Sequence, residues 1–160
     1  MSDETRRAFL GKVSVIAPGL VVLGGAAGVV SASESGGERR AIGARAGAPF
    51  SRAVAFDRLV YVSGVVGQKP GERGPMSEDF TTQCRQAMEN LIGSVEAGGS
   101  SLDKVLKCTC FLTDVSDFAA FNKIYMSFFQ SNPPARSTVV VKELVVPGAK
   151  LEIDCVTCLE

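Results

Sequence analysis

Apolar residues recur along the chain with two different periods, and the changes of period divide it into elements. Over residues 77–97 they fall at Phe80, Cys84, Ala87, Met88, Leu91, Ile92 and Val95. Steps of 4, 3, 1, 3, 1 and 3 mark one face of a long helix. Ser77 is the expected N-cap, Glu78 and Asp79 suit the first turn, and Gly98-Gly99 is the expected stop. A second amphipathic helix is predicted over residues 116–130, with Phe118, Phe121, Ile124, Tyr125, Phe128 and Phe129 inward. Ser116 can cap it, and Pro133-Pro134 forbids its continuation. Elsewhere the period is two. Residues 51–56 and 59–63 read as short strands around Asp57-Arg58, and residues 104–113 as a strand with Leu106, Cys108, Cys110 and Leu112 on one face. Residues 135–142 and 150–158 are two more strands, joined by a turn at Pro147-Gly148, while residues 65–75, with five glycines or prolines, form a loop.

The order β-β-α-β-α-β-β predicts an α+β fold, a mixed sheet with both helices packed on one face. In the last strand Leu151, Ile153 and Cys155 are assigned to the helix-covered core, and Glu152, Asp154 and Val156 to the other side. That other face must be exposed or covered by another subunit.

The first 32 residues have a different character. Thr5-Arg6-Arg7-Ala8-Phe9-Leu10-Gly11-Lys12 precedes a largely apolar stretch over residues 13–30 and small residues at Val30-Ser31-Ala32. This is the pattern of a secretory signal, and the arginine pair resembles a twin-arginine signal, which implies a periplasmic protein. The other reading is a membrane anchor, but 18 residues containing Pro18 and several glycines make a poor span. Contact with a membrane is expected only through this segment, if it is not cleaved. Residues 33–47, polar and glycine-rich, read as a flexible lead-in to a domain over residues 48–160.

Composition narrows the chemistry. Lys plus Arg and Asp plus Glu are both 17. A nucleic-acid partner is therefore not expected, since phosphate contacts need a basic surface. Cleavage after Ala32 removes three basic and two acidic residues and leaves 14 and 15, a net charge of −1. There is no histidine, so acid–base work falls to Glu, Asp, Lys, Tyr, Cys or water. Cys155 and Cys158 form a C-x-x-C string inside a strand, where positions three apart face opposite sides. The five cysteines read as core thiols, and no metal is expected.

The motifs carry the function. Pro134-Ala135-Arg136-Ser137-Thr138 begins one strand, and Glu152 stands between Leu151 and Ile153 in the last. Upstream lie Ala48-Pro49-Phe50-Ser51-Arg52-Ala53-Val54, Tyr61-Val62-Ser63-Gly64, and Thr113-Asp114-Val115-Ser116-Asp117-Phe118 running on to Asn122 and Tyr125. In order and spacing these segments resemble the RidA/YjgF family of reactive imine deaminases from about residue 46 onward. The resemblance implies a chorismate-mutase-like fold, trimeric around a central β-barrel, with sites in the clefts between subunits and no cofactor.

It also implies roles. Arg136 holds the carboxylate of a 2-imino acid, for which a planar guanidinium fork is suited. Glu152 positions water and moves its proton. Gly64, Thr138 and Phe50 complete the substrate-binding set. Gly64 allows close backbone approach, Thr138 shares the strand face of Arg136, and Phe50 gives an aromatic wall. Thr138 and Phe50 depart from the family's frequent Cys and Tyr. Asn122 is expected to satisfy backbone near the site, without a catalytic part. The function implied is hydrolysis of 2-imino or enamine acids to 2-oxo acids and ammonia. The alternative is a non-catalytic protein that binds or senses a small carboxylate on the same fold.

Overall fold

The computed structural model describes residues 37–159. The predicted signal segment, residues 1–32, lies outside the described residues. Six strands form one sheet: β1 (Arg40–Ile42), β2 (Ala53–Phe56), β3 (Leu59–Val66), β4 (Val105–Leu112), β5 (Ala135–Val140) and β6 (Leu151–Cys158). Their order across the sheet is β1-β2-β3-β6-β4-β5. Only β4 and β5 pair in parallel, so the sheet is mixed. Among the described residues two α-helices, α1 (Phe80–Ala97) and α2 (Phe118–Phe128), complete the α+β fold.

One continuous core lies between the helices and a single face of the sheet. Cys84, Met88, Leu91 and Val95 of α1 and Phe121, Ile124 and Tyr125 of α2 meet Val60, Val62, Cys108, Cys110, Leu112, Leu151, Ile153 and Cys155. The strict alternation of burial along β6 puts Glu152, Asp154 and Val156 on the opposite face. Tyr61, paired with Val156, and Val139, paired with Phe111, are about half exposed on that same open face.

The helix ends follow local hydrogen bonding. At the C-terminus of α1, Gly99 takes a left-handed φ of 88°. Its N–H donates to Glu96 O (2.9 Å) and the N–H of Ser100 to Val95 O (3.2 Å), the paired closure that a glycine stop permits. At the N-terminus the cap is Asp79 and not Ser77. The Asp79 carboxylate accepts from the N–H of Thr82 at 2.7 Å, while Ser77 Oγ accepts from the Asp79 N–H at 3.2 Å. A carboxylate two residues closer to the apolar run satisfies the orphan amide better. α2 is likewise shorter than residues 116–130. Asp114 accepts from the N–H of Ser116 at 2.8 Å, and a 3-10 turn, Val115–Asp117, precedes the helix.

Three further expectations are corrected. The lead-in contributes β1, which pairs with β2 and buries Ile42. Three residues are too few for a period to be visible. Leu106 is not inward: a bulge lets Val105 pair with Thr157 and Lys107 with Val156. Leu106 is then the extra residue, 48% exposed, and Val105 takes the core position. Phe118, expected inward, is 41% exposed at the start of α2.

The cysteines lie as expected of core thiols. Cys84, Cys108, Cys110 and Cys155 are buried, Cys158 is half-buried, and all five are free. Burial pushes the thiols of Cys84, Cys110 and Cys155 up to about 12, which makes them poor nucleophiles.

Candidate functional site

β5 is an edge strand, and Arg136 and Thr138 project from it toward the helices. Arg136 pairs with Cys108 and Thr138 with Cys110, both core residues of β4. The Arg136 guanidinium is held by α2. Its Nη2 donates to Asn122 Oδ1 at 2.6 Å. Its carbon lies 4.6 Å from the Tyr125 ring centroid, 5.0 Å from that of Phe121 and 6.0 Å from that of Phe118. Residues 118, 122 and 125 stand four and three apart, so one helix face supplies the amide and two of the rings. The rings favour a cation over their faces and shield it from water. Among the described residues no carboxylate comes within 4.0 Å of this guanidinium. An arginine fixed in place, with donors left over and no counter-ion, is suited to an external carboxylate or other planar anion.

Among the described residues Thr138 Oγ1 is buried without a hydrogen-bond partner, and the buried Tyr125 hydroxyl has only the Cys108 thiol beside it. Burial, then the adjacent Cys108 thiol, raises the Tyr125 hydroxyl well above the ordinary tyrosine value. It is therefore a neutral hydroxyl and no base. Thr138 follows Arg136 on the same strand face, with its hydroxyl turned inward and buried.

Glu152 stands on the other face of the sheet. It pairs with Phe111 of β4 and with Val66 of β3. β3 is bulged between Val62 and Val65, and Gly64 lies in that irregularity against the Glu152 side chain. A β-carbon on Gly64 would fall on Glu152 Oε1 and within 2.8 Å of its Cδ. Only glycine leaves room for the carboxylate here. Partial burial, and then the charge of Asp154, push the Glu152 carboxyl above its ordinary range. That change moves a carboxylate toward a useful general base. Phe50 is 68% exposed. The chain beside it is tied next to Gly64, because Ser63 Oγ donates to Ser51 O at 2.8 Å and the Ser63 N–H to Arg52 O at 3.1 Å.

The residues singled out from the sequence thus form two groups within one protomer. Arg136 and Thr138 are on the helix side of the β5 edge; Glu152, Gly64 and the Phe50 segment are on or beside the open face. They do not converge on one another. Asn122, expected only to serve backbone, instead orients Arg136. Its spacing from Phe118 and Tyr125 along α2 was the available signal.

The family model described as Endoribonuclease L-PSP matches residues 40–159, so its match takes in β1. The chain is 38% identical over 110 residues to Protein DfrA of Myxococcus xanthus, covering 68% of this chain and 83% of that one. It is 36% identical over 108 residues to the 2-iminobutanoate/2-iminopropanoate deaminase of Homo sapiens, covering 68% and 78%. Among solved structures, E. coli TdcF with bound serine is similar with a TM-score of 0.66 and 35% identity, over 76% of this chain and 94% of that one.

Proposed function

Because the chain belongs to the Endoribonuclease L-PSP family, the RidA/YjgF family of its motifs, we propose that it is a cofactor-free deaminase of reactive 2-imino and enamine acids. The observation that carries this reading is the Arg136 guanidinium, oriented by Asn122 and three rings and lacking a carboxylate partner among the described residues. The relatives named as imine deaminases support it, and the serine bound to TdcF supports a ligand that carries a carboxylate.

In the proposed reaction the free N–H groups of Arg136 grip the substrate carboxylate and set the imine carbon in a fixed pose. Glu152 accepts a proton from water as its oxygen bonds to that carbon. The C=N electron pair moves to nitrogen, which takes that proton back from Glu152 to give the carbinolamine. Glu152 then carries the hydroxyl proton to the same nitrogen, C=O forms as the C–N bond breaks, and ammonia and a 2-oxo acid leave. A raised carboxyl pKa suits a group that both takes and returns a proton. Thr138 adds a hydroxyl beside the carboxylate, and Phe50 an aromatic wall. Free imines hydrolyse unaided, so the barrier to be lowered is modest and few groups suffice. The test is ammonia release from 2-imino acids generated in situ by an amino-acid oxidase. A folded protein that adds nothing to the spontaneous rate would leave the alternative, a carboxylate-binding or sensing protein.

The two groups of residues meet, in this proposal, across subunits of a homotrimer whose open sheet faces line a central barrel. The half-exposed Tyr61 and Val139 support a covered face. The protein without residues 1–32 is expected to sediment as a trimer at micromolar concentration. A monomer with full activity would remove the inter-subunit site.

The twin-arginine reading of the N-terminus implies export to the periplasm. Replacing the pair together, Arg6→Lys with Arg7→Lys, keeps the charge and removes the paired guanidinium groups. The double variant is expected to remain in the cytoplasm, as judged by fractionation and N-terminal sequencing. Normal delivery would count against the twin-arginine pathway, and a wild-type protein retaining residues 1–32 in the membrane fraction would favour an anchor.

A further inference from the structure

Gln83 is fully buried in α1, and its side-chain amide is used entirely on backbone from elsewhere in the chain. Nε2 donates to Ser77 O at 2.6 Å and to Gly148 O at 2.8 Å, and Oε1 accepts from the N–H of Lys150 at 2.9 Å. Asn90 lies seven residues on, two turns along the same helix face. Its Nδ2 donates to Val66 O and to Gln68 O, both at 2.8 Å, and its Oδ1 accepts from Gln86 Nε2 at 3.1 Å. Between them the chain rests directly on the helix at Gly67, where a β-carbon would come within 2.6 Å of Gln83 Cα.

These backbone groups have one place in common. Val66 is the register partner of Glu152 and follows Gly64 by two residues, while Lys150 precedes Glu152 by two. The end of β3 and the start of β6 are therefore both pinned to α1 by amide side chains. Core packing does not require this, since an apolar residue would fill position 83 beside Phe80, Cys84 and Ala87. A buried amide with every partner in place specifies one arrangement of the segments it joins, and is costly if they shift.

We infer that Gln83, together with Asn90, is a positioning residue for Glu152: from behind the sheet Gln83 fixes the chain entering β6 and Asn90 the end of β3, the two segments that hold the Glu152 carboxylate against Gly64. The inference deepens the proposed function and rests on it for its kinetic test, but one of its readouts does not depend on activity.

The experiment compares Gln83→Met, close in length and unable to make the three bonds, with Asn90→Ala, a milder change at a half-buried position. Each is made alone and combined with Glu152→Gln or with Arg136→Lys. A positioning role predicts a kcat lowered about tenfold with KM changed by less than about twofold. The loss should vanish in the Glu152→Gln background and persist in the Arg136→Lys background, because only residues acting through one another couple. Independently, the Glu152 side-chain carboxyl carbon is titrated by NMR. Asp154 is the charge that acts on this carboxyl. With Asp154 left in place, the midpoint should fall toward the ordinary glutamate value in both variants, as the loosened carboxylate gains water. Folded variants with an unchanged titration, or with the same loss of kcat in the Glu152→Gln background, would overturn the inference. If the wild type proves inactive, the titration still decides the positioning while the deaminase reading fails separately. If Gln83→Met does not fold, Asn90→Ala decides.

Discussion

Arg136→Ala is expected to remove most of the activity toward 2-imino carboxylates while leaving the protein folded. A hydrogen bond to a charged group contributes about 1.5–3 kcal/mol. One such bond to the substrate is then about ten- to hundred-fold in kcat/KM, and a two-bond grip more. The fold has little stake in this side chain. It lies on an edge strand, only partly buried, and its hydrogen-bond partner among the described residues, Asn122, is also reachable by solvent. Arg136→Lys should recover little, because lysine keeps the charge but not the planar fork, and its slender ammonium does not stack among Phe118, Phe121 and Tyr125 as a guanidinium does. Asn122→Ala should raise KM more than it lowers kcat, since it frees the guanidinium to rotate without removing it. The readout is ammonia release against the spontaneous rate, with circular dichroism as the control for folding. Wild-type activity in a folded Arg136→Ala protein would exclude carboxylate capture by this residue.

What could be read from the sequence was what is written locally and repeatedly. The α1 stripe from Phe80 to Val95, the alternation of Leu151, Ile153 and Cys155, and the Gly98-Gly99 stop each repeat one physical rule over enough residues to be visible. β1 was not visible, because a three-residue strand is defined by its partner Ala53–Phe56 and not by its own pattern. The exposure of Leu106 was not visible either, because a bulge is a property of two strands in register. The same division runs through the site. Arg136, Glu152 and Gly64 could be named from motifs, but the motifs do not say that the sheet separates Arg136 from Glu152 within a protomer. Nor could Gln83 be distinguished from a polar residue on a helix flank. Its importance depends on Gly148 and Lys150, more than sixty residues away along the chain.

Gly64→Ala is expected to separate activity from stability more cleanly than any change at Glu152 itself. Gly64 does not adopt a left-handed φ, so alanine is compatible with its backbone. What the new methyl group meets is the end of the Glu152 side chain: it would fall on Oε1, 2.8 Å from Cδ and 3.1 Å from Cγ. Of all the atoms that could be struck, the tip of a flexible, partly exposed side chain is the cheapest to move. The fold can therefore yield by turning the carboxylate away, at small cost to the thermal midpoint. The reaction cannot yield in the same way. A displacement of about 1 Å at a group that aims water can cost on the order of a hundredfold. Loss should appear in kcat, because within the protomer the new methyl group meets only Glu152 atoms and leaves Arg136, which grips the carboxylate, unaltered. The Glu152 carboxyl, turned toward water, should also titrate closer to an ordinary glutamate, since burial is the main cause of its raised value. Ammonia-release kinetics, thermal unfolding and side-chain carboxyl NMR on the same variant provide the comparison. Unchanged kcat in Gly64→Ala would mean that the carboxylate beside Gly64 takes no part in the reaction.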